Sequence, residues 1–245
     1  MIKSYGLIGF PLSHSFSKKY FTEKFQRESL INCSYELYPI ESIDLLPDVL
    51  EKNPTLAGLN VTIPYKEQVL RYLDKRSPVV EEIGACNCIM IKDGELVGYN
   101  TDVIGFTKSL EPKLRGTHKK ALVLGTGGAA KAVHYSLKQK GIDFLQVSRS
   151  QSDQTIAYND INQQLLKEYT LIINTTPLGM HPHVEQAPDI PYQFIGPEHY
   201  LFDLVYNPAL TKFLAEGKAR GAEIENGADM LIIQAEASWE IWNSQ

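Results

Sequence analysis

Three groupings in this 245-residue chain carry side chains and spacings that could do chemistry. The first is Lys66, at the end of Gly58-Leu-Asn-Val-Thr-Ile-Pro-Tyr-Lys66. Leu59 to Ile63 alternates as a strand does, and Pro64 opens Tyr65 to Leu73 as a helix, with proline at its first position. Lys66 then falls in a first helical turn, where unpaired N–H groups disfavour a cation by roughly 0.3–1 kcal/mol. The position calls for a neighbouring anion, although a lysine reaching into water would read the same from this segment alone. The second grouping is Gly125-Thr-Gly127-Gly128-Ala129-Ala130, set between a buried strand (Ala121 to Leu124) and a helix running to about Gln139. In this G-x-G-x-x-A form the first glycine makes a tight turn, the second lets backbone approach a pyrophosphate, and a small third residue permits close helix packing. The third grouping is Ser148-Arg149-Ser150, at the end of the following strand. A dinucleotide site that selects NAD carries a carboxylate there for the ribose hydroxyl. A guanidinium flanked by hydroxyls suits a 2′-phosphate, hence NADP(H), the alternative being a surface arginine at a strand end.

The elements that must position these groups alternate. Tyr5 to Phe10 reads as a strand, Ser17 to Ser29 as a helix, Cys33 to Ile40 as a strand, Ile43 to Lys52 as a helix and Leu56 to Ile63 as a strand, an order that predicts a mainly parallel α/β sheet. Asp93-Gly94 between two apolar runs predicts an added antiparallel hairpin. Thr101 to Leu110 resumes as a helix, for which Thr101 or Asp102 would serve as an N-cap. After Pro112 and Gly116 a second α/β unit begins with the glycine fingerprint. Between Arg149 and the strand Leu171 to Thr176 there is room only for a short strand (TIAYNDI) and a short helix (NQQLLKEY). The long loop after Thr176 stands at the carboxyl end of a strand, where open α/β sheets place ligands. A strand ending in LFDLVYNP, a helix from Leu210 to Arg220, a short strand in AEIENG and an amphipathic helix from Ala228 to Trp242 complete the chain.

Composition excludes several classes. A net charge of −5 argues against nucleic acid or an anionic membrane as the main partner, and the basic run Lys113 to Lys120 reads as a solvated connection before a strand. No apolar run is long enough for a signal peptide or a membrane helix, so the cytoplasm is the expected location. Cys33, Cys86 and Cys88 do not form a disulfide framework and read as reduced, buried thiols. Neither Cys86-Asn-Cys88 nor His181-Pro-His183 has zinc spacing, so no metal is expected.

Assembled, the segments resemble the shikimate dehydrogenase family over nearly the whole chain. The motifs occur in order: HSFS (His14 to Ser17), GLNVTIPYK, GACN (Gly84 to Asn87), GYNTD (Gly98 to Asp102), GTGGAAKA, NTTPLGM (Asn174 to Met180), VYNP (Val205 to Pro208) and GADMLIIQA (Gly227 to Ala235). The resemblance implies an oxidoreductase that reduces 3-dehydroshikimate to shikimate with NADPH. It implies a substrate-binding domain at residues 1–103, a Rossmann-type NADP-binding domain at 104–226, and a C-terminal helix at 227–245 returning to the first domain. It assigns catalysis to Lys66 and Asp102, so that the anion expected beside Lys66 would be Asp102 together with the substrate carboxylate. Ser15 and Ser17 would bind that carboxylate, with Thr62, Asn87, Tyr206 and Gln234 completing the substrate site. Gly125, Gly127, Gly128 and Ala129 would contact the pyrophosphate, Ser148, Arg149 and Ser150 the adenosine end, and Met180, Gly227 and Met230 the nicotinamide neighbourhood. A monomer or a homodimer fits equally well.

The chain also departs from the family pattern. Many relatives have proline after the paired serines where this chain has Lys18, a change that would loosen the helix start or add charge beside the substrate carboxylate. A second basic residue often follows the adenosine-site arginine; here Gln151, Ser152 and Asp153 follow, which weakens the expected NADP preference. A quinate/shikimate dehydrogenase with relaxed cofactor use, and a non-catalytic shikimate-binding regulator, are the alternative readings. The intact Lys66 and Asp102 count against the regulator.

Overall fold

The computed structural model describes residues 2–12 and 15–244, so that His14 of the HSFS motif lies outside the described residues. The chain divides into two compact units, Met1–Ile104 with Gln234–Gln245, and Gly105–Ile233.

In the first unit β1 (Lys3–Gly9), α1 (Phe16–Arg27), β2 (Cys33–Pro39), α2 (Leu46–Lys52) and β3 (Leu56–Val61) alternate as expected, followed by β4 (Lys75–Arg76), α3 (Pro78–Ile83), β5 (Cys88–Lys92), β6 (Glu95–Tyr99) and the first turn of α4 (Thr101–Leu110), a helix that passes into the second unit after Ile104. The sheet order is β2-β1-β3-β5-β6-β4. β1 runs parallel to both β2 and β3, while β5 is antiparallel to β3 and to β6. Asp93 and Gly94, both at positive φ (53° and 83°), make the tight turn between β5 and β6. Each sheet face has its own apolar cluster: Ile8, Leu59, Val61 and Ile89 on one side, and Tyr5, Leu7, Phe21, Cys88 and Trp242 on the other. Alternate residues of β1 therefore feed opposite layers, as the two-residue period of a strand requires.

The second unit contains β7 (Lys120–Leu124), α5 (Gly128–Gln139), β8 (Asp143–Ser148), β9 (Thr155–Ala157), α6 (Gln163–Glu168), β10 (Leu171–Asn174), β11 (Tyr200–Asp203), α7 (Lys212–Lys218), β12 (Glu223–Glu225) and α8 (Ala228–Trp242). Its sheet, ordered β12-β11-β10-β7-β8-β9, is parallel throughout. Leu171 and Ile173 of β10 face one apolar layer and Ile172 the other, which is why this strand reads as an unbroken apolar run. The unit boundary near the C-terminus falls inside α8, between Ile233 and Gln234, rather than at Gly227. Met230 packs with Phe106 and Phe202, whereas Ala235 and Trp242 pack with Tyr5 and Phe21.

Several expectations need correction. Tyr65 to Leu73 is not an α-helix. Thr62 to Tyr65 forms a turn around a cis Ile63–Pro64 peptide, closed by the Tyr65 N–H to the Thr62 carbonyl at 2.9 Å, and only Gln68–Tyr72 winds, as a 3₁₀ helix. The Lys66 carbonyl, which an α-helix would offer to residue 70, instead accepts the Cys86 N–H at 2.8 Å. A tertiary hydrogen bond has overridden local propensity. The basic run before β7 is not simply solvated. Lys113 donates to the Ile224 carbonyl at 2.7 Å and pairs with Glu225 at 2.7 Å, and His118 is buried. Of the three thiols, Cys86 and Cys88 are buried and Cys33 is half-buried, all without a disulfide.

The indole of Trp242 lies flat against the middle of the first sheet. Its Nε1–H donates to the Ile89 carbonyl at 2.9 Å, and a Cβ on Gly58 would stand 2.2 Å from that nitrogen. Gly58→Ala should therefore push the ring off its seat and cost about 1–3 kcal/mol, the range for overpacking. The expected observation is a lower urea midpoint with an unchanged slope; an unaltered midpoint would show that the ring can move at no cost.

Candidate active site

Lys66 and Asp102, far apart in sequence, meet in the first unit. The ammonium donates to Asp102 Oδ2 at 2.8 Å, and the side chains are 21% and 14% exposed. The anion beside Lys66 is thus present, but not for the reason helix electrostatics suggested. The helix N-terminus at this site belongs to α4, and it is Asp102 that sits in its first turn, where a carboxylate is favoured.

Three consecutive residues, Ala85, Cys86 and Asn87, hold the pair. The Ala85 carbonyl accepts Asn100 Nδ2–H at 2.9 Å, the Cys86 N–H donates to the Lys66 carbonyl, and Asn87 Oδ1 accepts the Thr101 N–H at 2.7 Å. Asn87 Nδ2 donates in turn to Thr101 Oγ1 at 3.0 Å. Asn100 caps α4, its Oδ1 accepting the Val103 N–H at 3.2 Å. Neither Thr101 nor Asp102 is the cap, and the Asp102 carboxylate is left to face Lys66. Burial pushes the neighbouring Cys86 thiol up to about 12, and Cys88 rises for the same reason, so neither supplies a thiolate.

From Thr101 a buried polar chain crosses the first unit. Thr101 Oγ1 lies 3.2 Å from Ser238 Oγ and 3.4 Å from Gln234 Oε1. Ser238 Oγ accepts Asn60 Nδ2–H at 3.0 Å, and Asn60 Oδ1 accepts the Tyr35 hydroxyl at 2.8 Å. Ser17 bonds to that hydroxyl, and burial raises the tyrosine above its ordinary pKa. The structure thereby connects Ser17, Asn87 and Gln234 through Tyr35, Asn60, Thr101 and Ser238, which sequence reasoning missed. The available signal was Asn60, a polar residue inside an otherwise apolar strand. Ser15 is the N-cap of α1, its Oγ accepting the Lys18 N–H at 3.2 Å. A proline at position 18 could not make that bond. The Lys18 ammonium turns away to Glu36 at 2.7 Å, so Lys18 tightens the helix start. Thr62 follows β3 with its N–H on the Ile8 carbonyl at 3.0 Å.

In the second unit the glycine fingerprint forms the β7–α5 turn. Gly125 has φ of 109°, and a Cβ there would lie 2.8 Å from Thr175 Oγ1, so only glycine fits. Above Gly127 and Gly128 a Cβ would meet nothing within 4 Å, and α5 has no side-chain cap hydrogen bond at its N-cap, Gly127. Open space in front of an uncapped 12-residue helix fits a pyrophosphate bound by backbone N–H groups, here those of Gly128 and Ala129. Ala130 is buried and packs in the core. Ser148 ends β8; Arg149 and Ser150 are exposed beyond it, and Arg149 has no ion pair among the described residues. Met180 and Tyr206 are 46% and 38% exposed, Met230 is buried in the core, and a Cβ on Gly227 would meet the Leu204 carbonyl oxygen at 2.2 Å.

Comparisons with known proteins identify what the chain is similar to. Residues 7–89 match the family model of the shikimate dehydrogenase substrate binding domain. The shikimate dehydrogenase (NADP(+)) of Geobacillus kaustophilus is 37% identical over 261 residues, covering 100% of this chain and 94% of that protein. The enzyme of the same name from Desulforamulus reducens is 35% identical over 263 residues, covering 97% and 88%. Among solved structures, shikimate 5-dehydrogenase from Thermus thermophilus, in complex with NADP(H) and shikimate, superposes with a TM-score of 0.85 at 31% identity, covering 99% of this chain and 94% of that one.

If Asn100 caps α4, Asn100→Ala should lower unfolding free energy by about 1 kcal/mol, within the 0.5–2 range for lost caps. Chemical denaturation measures it, and an unchanged midpoint would return the cap to Thr101 or Asp102. With relatives aligned from end to end, matching motifs in order and the ion pair assembled, the chain belongs to the shikimate dehydrogenase family.

Proposed function

We propose that this chain is an NADP-dependent shikimate dehydrogenase, catalysing the reversible reduction of 3-dehydroshikimate to shikimate in aromatic amino acid biosynthesis. The observation that carries the reading is the Lys66–Asp102 contact at 2.8 Å in a chain that also presents an open, uncapped glycine turn. NADPH, when bound, supplies hydride to the substrate ketone. Negative charge then develops on the carbonyl oxygen, and the Lys66 ammonium has two N–H groups beyond the one given to Asp102 with which to stabilise and protonate it. Asp102 holds the ammonium in place during approach. Ser15 and Ser17 are assigned to the substrate carboxylate, and Thr62, Asn87, Tyr206 and Gln234 to its hydroxyls and ring. Gly125, Gly127, Gly128 and Ala129 are assigned to the pyrophosphate, Ser148, Arg149 and Ser150 to the phosphorylated ribose, and Met180, Gly227 and Met230 to the nicotinamide end. The unit of residues 1–104 with 234–245 would act as the substrate domain and that of residues 105–233 as the NADP domain. Three free thiols suit a reducing compartment, so the cytoplasm is part of the proposal.

Mixing the protein with shikimate and NADP⁺ should produce the absorbance of reduced nicotinamide; no signal at high enzyme concentration would sink the reading. Lys66→Ala should lower turnover roughly 100- to 10,000-fold, the usual worth of a positioned acid or base, while NADPH affinity stays nearly constant. Near-normal turnover at saturating substrate would remove Lys66 from catalysis.

The NADP preference rests on Arg149, and a charge-assisted hydrogen bond of about 1.5–3 kcal/mol corresponds to roughly ten- to a hundredfold. With Gln151, Ser152 and Asp153 following, the lower end is expected. An Arg149→Ala enzyme that kept its full NADPH preference in side-by-side kinetics would show that another group reads the phosphate.

A further inference from the structure

Asp203, the last residue of β11, is fully buried, yet it has no role in the chemistry above. Its carboxylate receives three hydrogen bonds. Oδ1 accepts Asn174 Nδ2–H at 2.9 Å and the Val205 N–H at 3.0 Å, and Oδ2 accepts the Thr211 hydroxyl at 2.5 Å. All three donors are neutral, and no Lys, Arg or His pairs with it among the described residues. A carboxylate buried without a cation is costly, and filling the same volume with an apolar residue would cost less. An amide of the same shape would turn its NH₂ towards one of the three, and only the Thr211 hydroxyl could reverse to accept it. What the site requires is therefore an acceptor for three converging donors.

Each donor starts a branch. Asn174 Oδ1 accepts the Thr176 N–H at 3.0 Å and the Thr176 hydroxyl at 2.6 Å, and Thr176 Oγ1 accepts the Leu178 N–H at 3.3 Å. This branch shapes the loop that begins with Thr175, whose own hydroxyl bonds to the Leu124 carbonyl at 2.8 Å beside the Gly125 turn, and that leads to Met180. The Val205 branch fixes the residue before Tyr206, and the Val205 carbonyl accepts the Gly227 N–H at 3.3 Å. The Thr211 branch caps α7. Burial raises the Asp203 carboxyl to about 6, so at neutral pH it is ionised and accepts only.

We propose that Asp203 is a positioning residue that locks the Thr175–Met180 and Val205–Pro208 loops into one arrangement for cofactor binding. It touches neither cofactor nor substrate and acts through Asn174, Val205 and Thr211. The inference rests on the assignment of Met180 and Gly227 to the nicotinamide end made under the proposed function.

The test uses the full-length enzyme with Asp203→Asn, Thr211→Val and Thr211→Ser. Amide hydrogen exchange without ligand reads the loops directly: Thr176, Leu178 and Val205 should exchange roughly tenfold faster in Asp203→Asn, as expected for the loss of about one charge-assisted hydrogen bond. Titration with NADPH should show a similar loss of affinity, with KM for NADPH raised more than kcat is lowered. Thr211→Val should shift both in the same direction and Thr211→Ser should behave as the parent, which keeps the test decisive if Asp203→Asn does not fold. Unchanged exchange and unchanged KM in a folded Asp203→Asn or Thr211→Val enzyme would overturn the proposal. Faster exchange in a protein whose parent form does not bind NADPH would instead uphold the loop lock and overturn the cofactor reading.

Discussion

The Lys66–Asp102 contact depends on the three consecutive residues Ala85, Cys86 and Asn87. Lys66 and Asp102 lie on different segments, and a salt bridge between partly exposed side chains is too weak to hold two chain segments together. The segments are instead joined by hydrogen bonds each of which engages a backbone group. Cys86 fixes the carbonyl of Lys66, while Asn87 and the Ala85 carbonyl fix Thr101 and Asn100 on either side of the α4 start. Gly84, at φ of 63°, ends α3 in the left-handed conformation and delivers the chain to this stretch. The ion pair is therefore a consequence of the backbone arrangement, and its geometry is pre-set before any ligand arrives, the condition under which an ammonium is most useful to a developing oxyanion.

What was legible in the sequence was local. The β7–α5–β8 fingerprint, the Asp93-Gly94 hairpin and the α4 span are written in contiguous residues, and all stand in the structure where the sequence placed them. The helix expected from Tyr65 to Leu73 does not form because its decisive hydrogen bond comes from Cys86, a donor that no window around Lys66 contains. The cap of α4 lies one or two residues from its expected place for a related reason. Asn100, Thr101 and Asp102 are all good caps in isolation, and only the contact of Asn87 with Thr101 decides among them. Short elements such as β4 and α3 carry too little periodicity to register, although Ser77 before Pro78 is a start signal that a closer reading could have used.

Helix electrostatics at Lys66 led to a correct pairing through an incorrect premise, and the difference matters. If Lys66 sat at a helix N-terminus, the helix would work against its charge and Asp102 would be compensation. In the structure the α4 N-terminus favours the Asp102 carboxylate, and Asp102 in turn favours the ammonium. The electrostatic chain runs from backbone dipole to carboxylate to lysine, each link attractive, and neither side chain is completely buried.

Each unit solves the same problem with a different kind of polar group. At the Lys66–Asp102 pair the anchoring side chain is an amide: Asn87 accepts from the Thr101 N–H and donates to the Thr101 hydroxyl, which leaves that hydroxyl's proton for Ser238 or Gln234. In the second unit the anchor is a carboxylate, because the groups that converge on Asp203 all donate. The first arrangement is neutral and inexpensive to bury. The second carries a charge into the interior, and among the described residues that charge is held by neutral donors. A polar residue buried at a strand end is thus explained by the partners around it: with an amide in place of Asp203 the Thr211 hydroxyl would have to reverse and accept, and with an acid in place of Asn87 the Thr101 hydroxyl would have to donate to it and give up its bond to Ser238 or Gln234.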